Sequence, residues 1–164
     1  MRTAPIAVPP LTDYSKKYQN SFSSSFIGRE DIFQNILRIW QQNKHPILVG
    51  EPGVGKTTII MELGRRVAMG EIKELKGKTL FAGSAALINE PDMMGASAFP
   101  RVIKTLNAYR DNVILALDEA HALASNKNNL TLLRSTTDNS TESLRYCLFA
   151  TTPDGYESFE KMNH

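Results

Sequence analysis

The residues most able to do chemistry are Gly50-Glu51-Pro52-Gly53-Val54-Gly55-Lys56-Thr57, followed by Thr58. They fit G-x-x-x-x-G-K-[ST] without a mismatch, behind a short apolar run, Pro46 to Val49, that reads as a buried strand. A loop that wraps polyphosphate has to aim successive backbone N–H groups inward. That needs glycine wherever a Cβ would clash or φ turns positive. Lys56 then reaches the β- and γ-phosphates as a point charge, and the Thr57 hydroxyl can ligate Mg²⁺. The helix that opens here adds its positive N-terminal end. The plain alternative, a Gly/Pro turn that happens to hold a lysine, does not account for a strand before and a helix after.

A second constellation lies at Asn112-Val-Ile-Leu-Ala-Leu-Asp-Glu-Ala-His121. Five apolar residues place Asp118 and Glu119 at the end of a buried strand, and ligands of open α/β sheets gather at such ends. Asp118 is expected to hold Mg²⁺ directly or through water, completing the shell begun by Thr57. Glu119 is then the base that orients and deprotonates an attacking water. An acidic pair ending a strand in solvent is the bland reading, outweighed here by the phosphate loop. His121 either contacts the γ-phosphate region or simply starts a loop, and the second reading is preferred. Thr151 and Thr152, at the end of another strand, either sense the γ-phosphate or attacking water or form an ordinary cap.

These groups need a scaffold, and the chain is long enough for one domain: 164 residues, 41% of them apolar. The net charge of +2, without a basic block, gives no reason to expect nucleic acid. No apolar run approaches the ~18 residues of a membrane span, and the N-terminus lacks the apolar stretch of a secretory signal. The single cysteine, Cys147, sits in a strand-like run and reads as a small core residue. A cytoplasmic location is expected.

Residues 1–25, with Pro5, Pro9, Pro10 and Ser21-Phe-Ser-Ser-Ser25, read as a flexible lead-in, though Tyr14, Tyr18 and Phe22 recur every fourth residue and could dock as one amphipathic turn. Residues 26–164 read as a nucleotide-binding domain. Ile32, Phe33, Ile36, Leu37 and Trp40 have helical spacing, and so do Ile59, Ile60, Leu63 and Val67. Strands are expected near Pro46–Val49, Thr79–Ala82, Asn112–Leu117 and Leu144–Thr151. Another helix follows Pro100, Ser125 to Asn129 reads as a polar loop, and Leu130–Arg134 as a short helix. Strands alternating with helices predict a three-layer αβα sandwich around a mostly parallel sheet.

At this point the residues resemble the AAA+ ATPases, and within them the first nucleotide-binding domain of Clp-type unfoldases and disaggregases. Phe26-Ile-Gly-Arg-Glu-Asp31 is similar to that family's V-I-G-R-[DE]-x entry segment, which implies that Phe26 and Ile27 pack on adenine. Pro46 to Thr57 is similar to N-P-[VI]-L-[IV]-G-E-P-G-V-G-K-T, and Asn112 to His121 to N-V-I-L-F-I-D-E-[LI]-H. Phe149-Ala-Thr-Thr152 with Tyr156 is similar to G-A-T-T-x-x-E-Y, which implies the sensor threonine at Thr151. The likeness covers about residues 26–161.

Two departures stand out. Where the family carries an aromatic pore loop, K-Y-x-G-E-F-E, this chain reads Glu90-Pro-Asp-Met-Met-Gly-Ala-Ser-Ala-Phe99, with Met93 near the tyrosine position. The family's arginine finger, last sheet strand and helical lid would all follow His164. The resemblance therefore implies a P-loop NTPase fold with an incomplete AAA+ core, binding ATP and Mg²⁺ through Gly50–Thr58 and Asp118. Lys56, Glu119 and Thr151 are its catalytic candidates, and ring-forming AAA+ subunits its expected partners. Weak hydrolysis alone is expected for want of the finger. The competing expectations are a nucleotide-binding regulator or adaptor of AAA+ rings with little activity of its own, and a decayed remnant with an open sheet edge beside the phosphate-loop strand.

Overall fold

The computed structural model describes residues 6–17, 30–53, 55–138 and 143–162. Phe26, Ile27 and Val54, three of the expected nucleotide contacts, lie outside the described residues, as do Tyr18 and Phe22.

Five strands form one sheet: β1 (Thr12–Asp13), β2 (Ile47–Val49), β3 (Thr79–Ser84), β4 (Val113–Asp118) and β5 (Cys147–Thr151), in the order β1-β3-β4-β5-β2. All neighbours are parallel except β1, which pairs antiparallel with β3. The central strands are apolar on both faces, as strands covered on both sides must be. Side chains of one strand alternate between the faces. Phe81, Leu115, Leu117, Cys147 and Phe149 therefore meet α4 (Ala85–Asn89), α5 (Phe99–Asn107) and α6 (Lys127–Thr136) on one side. Leu80, Ala82, Ile114, Ala116, Leu148 and Ala150 meet α2 (Glu30–Gln41) and α3 (Lys56–Ala68) on the other. This is the expected three-layer αβα sandwich.

Cys147 is fully buried in it, and burial pushes its thiol well above the ordinary range. The last helix, α7 (Pro153–Met162), leaves β5 directly. No helix among the described residues is long and apolar enough to cross a membrane.

A clamp of ion pairs joins the two helices on the phosphate-loop side. Glu62 and Arg65 are both buried, with Arg65 Nε 2.8 Å from Glu62 Oε1 and Arg66 Nε 2.7 Å from Glu62 Oε2. Arg66 also reaches Glu30 of α2 at 2.7 Å and lies over the Phe33 ring. Burial alone would raise the Glu62 carboxyl; the hydrogen bonds from Arg65 and Arg66 outweigh it and hold it below its usual range.

Two expectations need correction. The lead-in is packed, not free, over residues 8–17. Val8 and Leu11 are buried in one core and Tyr14 in the other, bridged by β1 and a single helical turn, α1 (Tyr14–Lys17). Gly64 and Gly83 make the room: a Cβ on Gly64 would stand 2.5 Å from Tyr14 Cδ1, and one on Gly83 2.7 Å from Leu11 Cδ2. The polar stretch read as a loop at 125–129 instead starts α6 at Lys127. Asn126 caps it, its side chain accepting the Asn129 N–H at 3.1 Å. Asn129 is buried because its amide donates to Asn89 at 2.7 Å and Ser97 at 2.9 Å.

Candidate nucleotide site

The phosphate loop joins β2 to α3 at the carboxyl end of the sheet. Gly53 and Gly55 have φ of +87° and +100°, yet a Cβ at either would meet nothing within 4 Å. Glycine is therefore needed there for backbone conformation and not for space. Gly55 caps α3 in the left-handed region, and its carbonyl accepts the Ile59 N–H at 2.9 Å. The loop is also sewn to the sheet: the Gly50 N–H donates to the Thr151 carbonyl at 3.1 Å.

Lys56 is the first residue of α3, and its ammonium turns back over the loop, donating to the Gly50 carbonyl and to that of Glu51 at 2.9 Å. This holds the cation at the loop's mouth. The Thr57 hydroxyl donates to Asp118 Oδ2 at 2.6 Å, so the two expected Mg²⁺ ligands come together from α3 and the tip of β4.

Glu119 follows Asp118 with φ 53° and ψ 41°. A non-glycine residue in that region carries about 1 kcal/mol of strain. The turn swings its side chain out of the strand's alternation, where Glu119 Oε2 accepts the Ser84 hydroxyl at 3.0 Å. Asp118 Oδ1 accepts the Glu119 N–H at 2.9 Å. Ser84, the last residue of β3, was not singled out from sequence. Only the parallel register, which sets Ser84 beside Asp118, brings it to the acid pair.

Two turns of 3-10 helix, Ala120–Ser125, carry His121 back toward β5, where His121 Nδ1 lies 2.7 Å from Thr151 Oγ1. His121 thus does more than start a loop. Thr152 caps the next element, accepting the Gly155 N–H at 3.0 Å.

Pro52, Gly53, Gly55, Lys56, Thr57, Thr58, Asp118, Glu119, His121, Thr151 and Thr152 line one cavity of about 350 Å³. Gly50 and Glu51 do not line it; their carbonyls are engaged by the Lys56 ammonium. The donor set fits a hard cation. A hydroxyl and a carboxylate oxygen stand together. That is the pattern of magnesium held by one or two side chains together with substrate phosphates. Met93 lies elsewhere, fully exposed with Met94 on the loop after α4.

Comparison with known proteins agrees with this geometry. The chain is 32% identical over 117 residues to the chaperone protein ClpB of Pseudomonas putida, covering 68% of this chain and 14% of that protein. It is 35% identical over 119 residues to ClpB of Leptolyngbya boryana, covering 69% and 13%. It spans about 14% of the length of such relatives. Among solved structures it is similar to a closed-state cryo-EM reconstruction of Hsp104 with ATPγS and FITC-casein (TM-score 0.74, 27% identity, 93% of this chain and 27% of that one). It is likewise similar to an S. cerevisiae Hsp104–ADP complex (TM-score 0.73, 25% identity, 93% and 22%). The profile described as the ATPase family associated with various cellular activities (AAA) matches residues 46–162, and with that loop, that acid pair and that sheet the chain belongs to the AAA family, as an ATPase domain of the ClpB/Hsp104 type.

Proposed function

We propose that the chain binds Mg·ATP in the cavity between the phosphate loop and the β4 tip and hydrolyses it, as part of a protein-remodelling machine. The Thr57–Asp118 contact is the observation that carries this reading, because it joins the loop to the acid pair at one point. When bound, magnesium would neutralise phosphate charge. Lys56 supplies a fixed cation, the loop amides orient the anion, and Glu119, steadied by Ser84, takes the proton from the attacking water. Phe26 and Ile27 would flank the adenine, and Thr151 would sense the reacting end. The similarity to Hsp104 structures holding ATPγS or ADP and casein supports both nucleotide and protein clients.

Among the described residues no arginine lines the cavity. Because an arginine at the transferring phosphate can contribute ~10³–10⁵ in rate, turnover by the chain alone is slow and rises when another AAA subunit supplies one. Glu119, bonded to Ser84 and lining the cavity, supports hydrolysis over a regulator without it. Calorimetry with Mg·ATP tests binding: Lys56→Ala should weaken it about 10- to 100-fold, the loss of a hydrogen-bonded charge. Phosphate release tests chemistry: Glu119→Gln should bind normally and release none, and equal release from both proteins would end the proposal.

A further inference from the structure

His121 has no place in the hydrolytic scheme above, yet it lines the same cavity as Lys56, Asp118 and Glu119. Its Nδ1 is committed to Thr151 Oγ1 at 2.7 Å. Its Nε2 has no hydrogen-bond partner among the described residues and is not sealed from solvent. Thr151 is itself buried, so its hydroxyl has few directions open. Gly155 of α7 closes the far side: a Cβ there would stand 2.5 Å from both His121 Nδ1 and Thr151 Oγ1. The pair is thus enclosed by α7 on one side and faces the phosphate cavity on the other.

A neutral imidazole carries one proton, and the site decides which nitrogen holds it. An anion in the cavity favours the proton on Nε2, the nitrogen free to donate. Nδ1 can then only accept, so the Thr151 O–H must donate to it. That leaves the Thr151 oxygen lone pairs as acceptors, able to accept a hydrogen bond from an attacking water but unable to donate to a phosphate oxygen. With the other tautomer these roles reverse.

We infer that His121 is a positioning residue: once a phosphate anion fills the cavity, it fixes Thr151 as a hydrogen-bond acceptor directed at the attacking water. The inference rests on the nucleotide-binding reading. It assigns to the His121–Thr151 pair the orientation of the water, and to Glu119 the removal of its proton.

Two measurements test it. The first needs no turnover: ring ¹⁵N spectra of the labelled chain, with His121 assigned by its loss in His121→Asn. The Nδ1 resonance should shift on Thr151→Val even without ligand. With Mg·ADP the ring should settle into the Nε2–H form. An Nδ1 signal indifferent to Thr151→Val, or a ring still averaging both tautomers with Mg·ADP bound, would overturn the inference. Calorimetry on the same samples separates failures: absent heat with Mg·ADP refutes the nucleotide reading, and the anion-selected tautomer falls with it, while the Thr151→Val shift still reports on the pair itself.

The second is a double-mutant cycle on phosphate release, run with whatever subunit restores full turnover. His121→Ala should slow release at saturating nucleotide about 10- to 100-fold, the scale of a misplaced reactant, and weaken nucleotide binding by no more than about tenfold, the scale of the lost Nε2–H contact to the anion. His121→Asn keeps an acceptor near the Nδ1 position and should recover most of the rate. In a Thr151→Val background, His121→Ala should cost less than twofold more. Independent losses that multiply would show that His121 does not act through Thr151.

Discussion

Thr57 and Asp118 are 61 residues apart in sequence, and their oxygens are 2.6 Å apart in the fold. That contact fixes the distance between phosphate loop and acid pair before any ligand arrives. Asp118→Ala removes the shared carboxylate and should abolish the benefit of magnesium. Calorimetry with ATP in Mg²⁺ and in EDTA should differ at least tenfold for the native chain, the scale of one charged contact, and less than twofold for the variant.

Ser84 holds Glu119 through one hydroxyl at 3.0 Å. A hydrogen bond to a charged carboxylate contributes about 1.5–3 kcal/mol, so Ser84→Ala should slow phosphate release at least about tenfold by letting the carboxylate wander. Binding of Mg·ATP should not change. Loss of affinity without loss of rate would show that Ser84 serves the fold and not the base.

Gly64 leaves the notch that Tyr14 fills. Gly64→Ala should lower stability by about 1–3 kcal/mol, the usual cost of overpacking, and release residues 8–17 to proteolysis. Tyr14→Ala vacates the notch, so adding Gly64→Ala to it should cost almost nothing more. Additive losses in thermal unfolding would contradict the contact.

His45 is a pH-sensitive point in the fold. Burial lowers its pKa from the ordinary 6.5, and its Nε2 is a buried atom without a partner among the described residues. The unfolded chain therefore takes up its proton first. Stability from His45 is full above that ordinary value and is lost as pH falls through it toward the folded value. Denaturant midpoints should decline between pH 7 and pH 5, and His45→Gln should flatten that decline. Glu62 and Glu30 are held low by arginines, so the stability they contribute is present throughout this range and is lost only at more acid pH, below the ordinary 4.5.

Four of the five strands and the phosphate loop were legible because each rests on local pattern, whereas β1 lies in the stretch read as a free lead-in. Val113 to Leu117 is apolar throughout, and a strand covered on both faces has to be. What escaped was pairing across distance. Tyr14 in the notch of Gly64, Ser84 beside Glu119 and His121 against Thr151 each join segments at least 30 residues apart. No single stretch signals such a partner. The start of α6 escaped for another reason: Lys127-Asn128-Asn129 is polar, and the bonds that reward burying Asn129 come from Asn89 and Ser97. Glu119 was assigned its chemistry by position, but its left-handed backbone is a property of the turn that no neighbour announces.

The loop-bearing strand β2 and the acid-bearing strand β4 never touch; β5 lies between them. Yet residues 147–151 leave the ribosome after both. Until they emerge, the nascent chain owns a cradle and a carboxylate tip with no strand between them, and only the Thr57–Asp118 contact to set their spacing. Affinity for nucleotide should therefore arise late and abruptly during synthesis, at the moment that wedge slides in, and its onset would time the closure of the whole sheet.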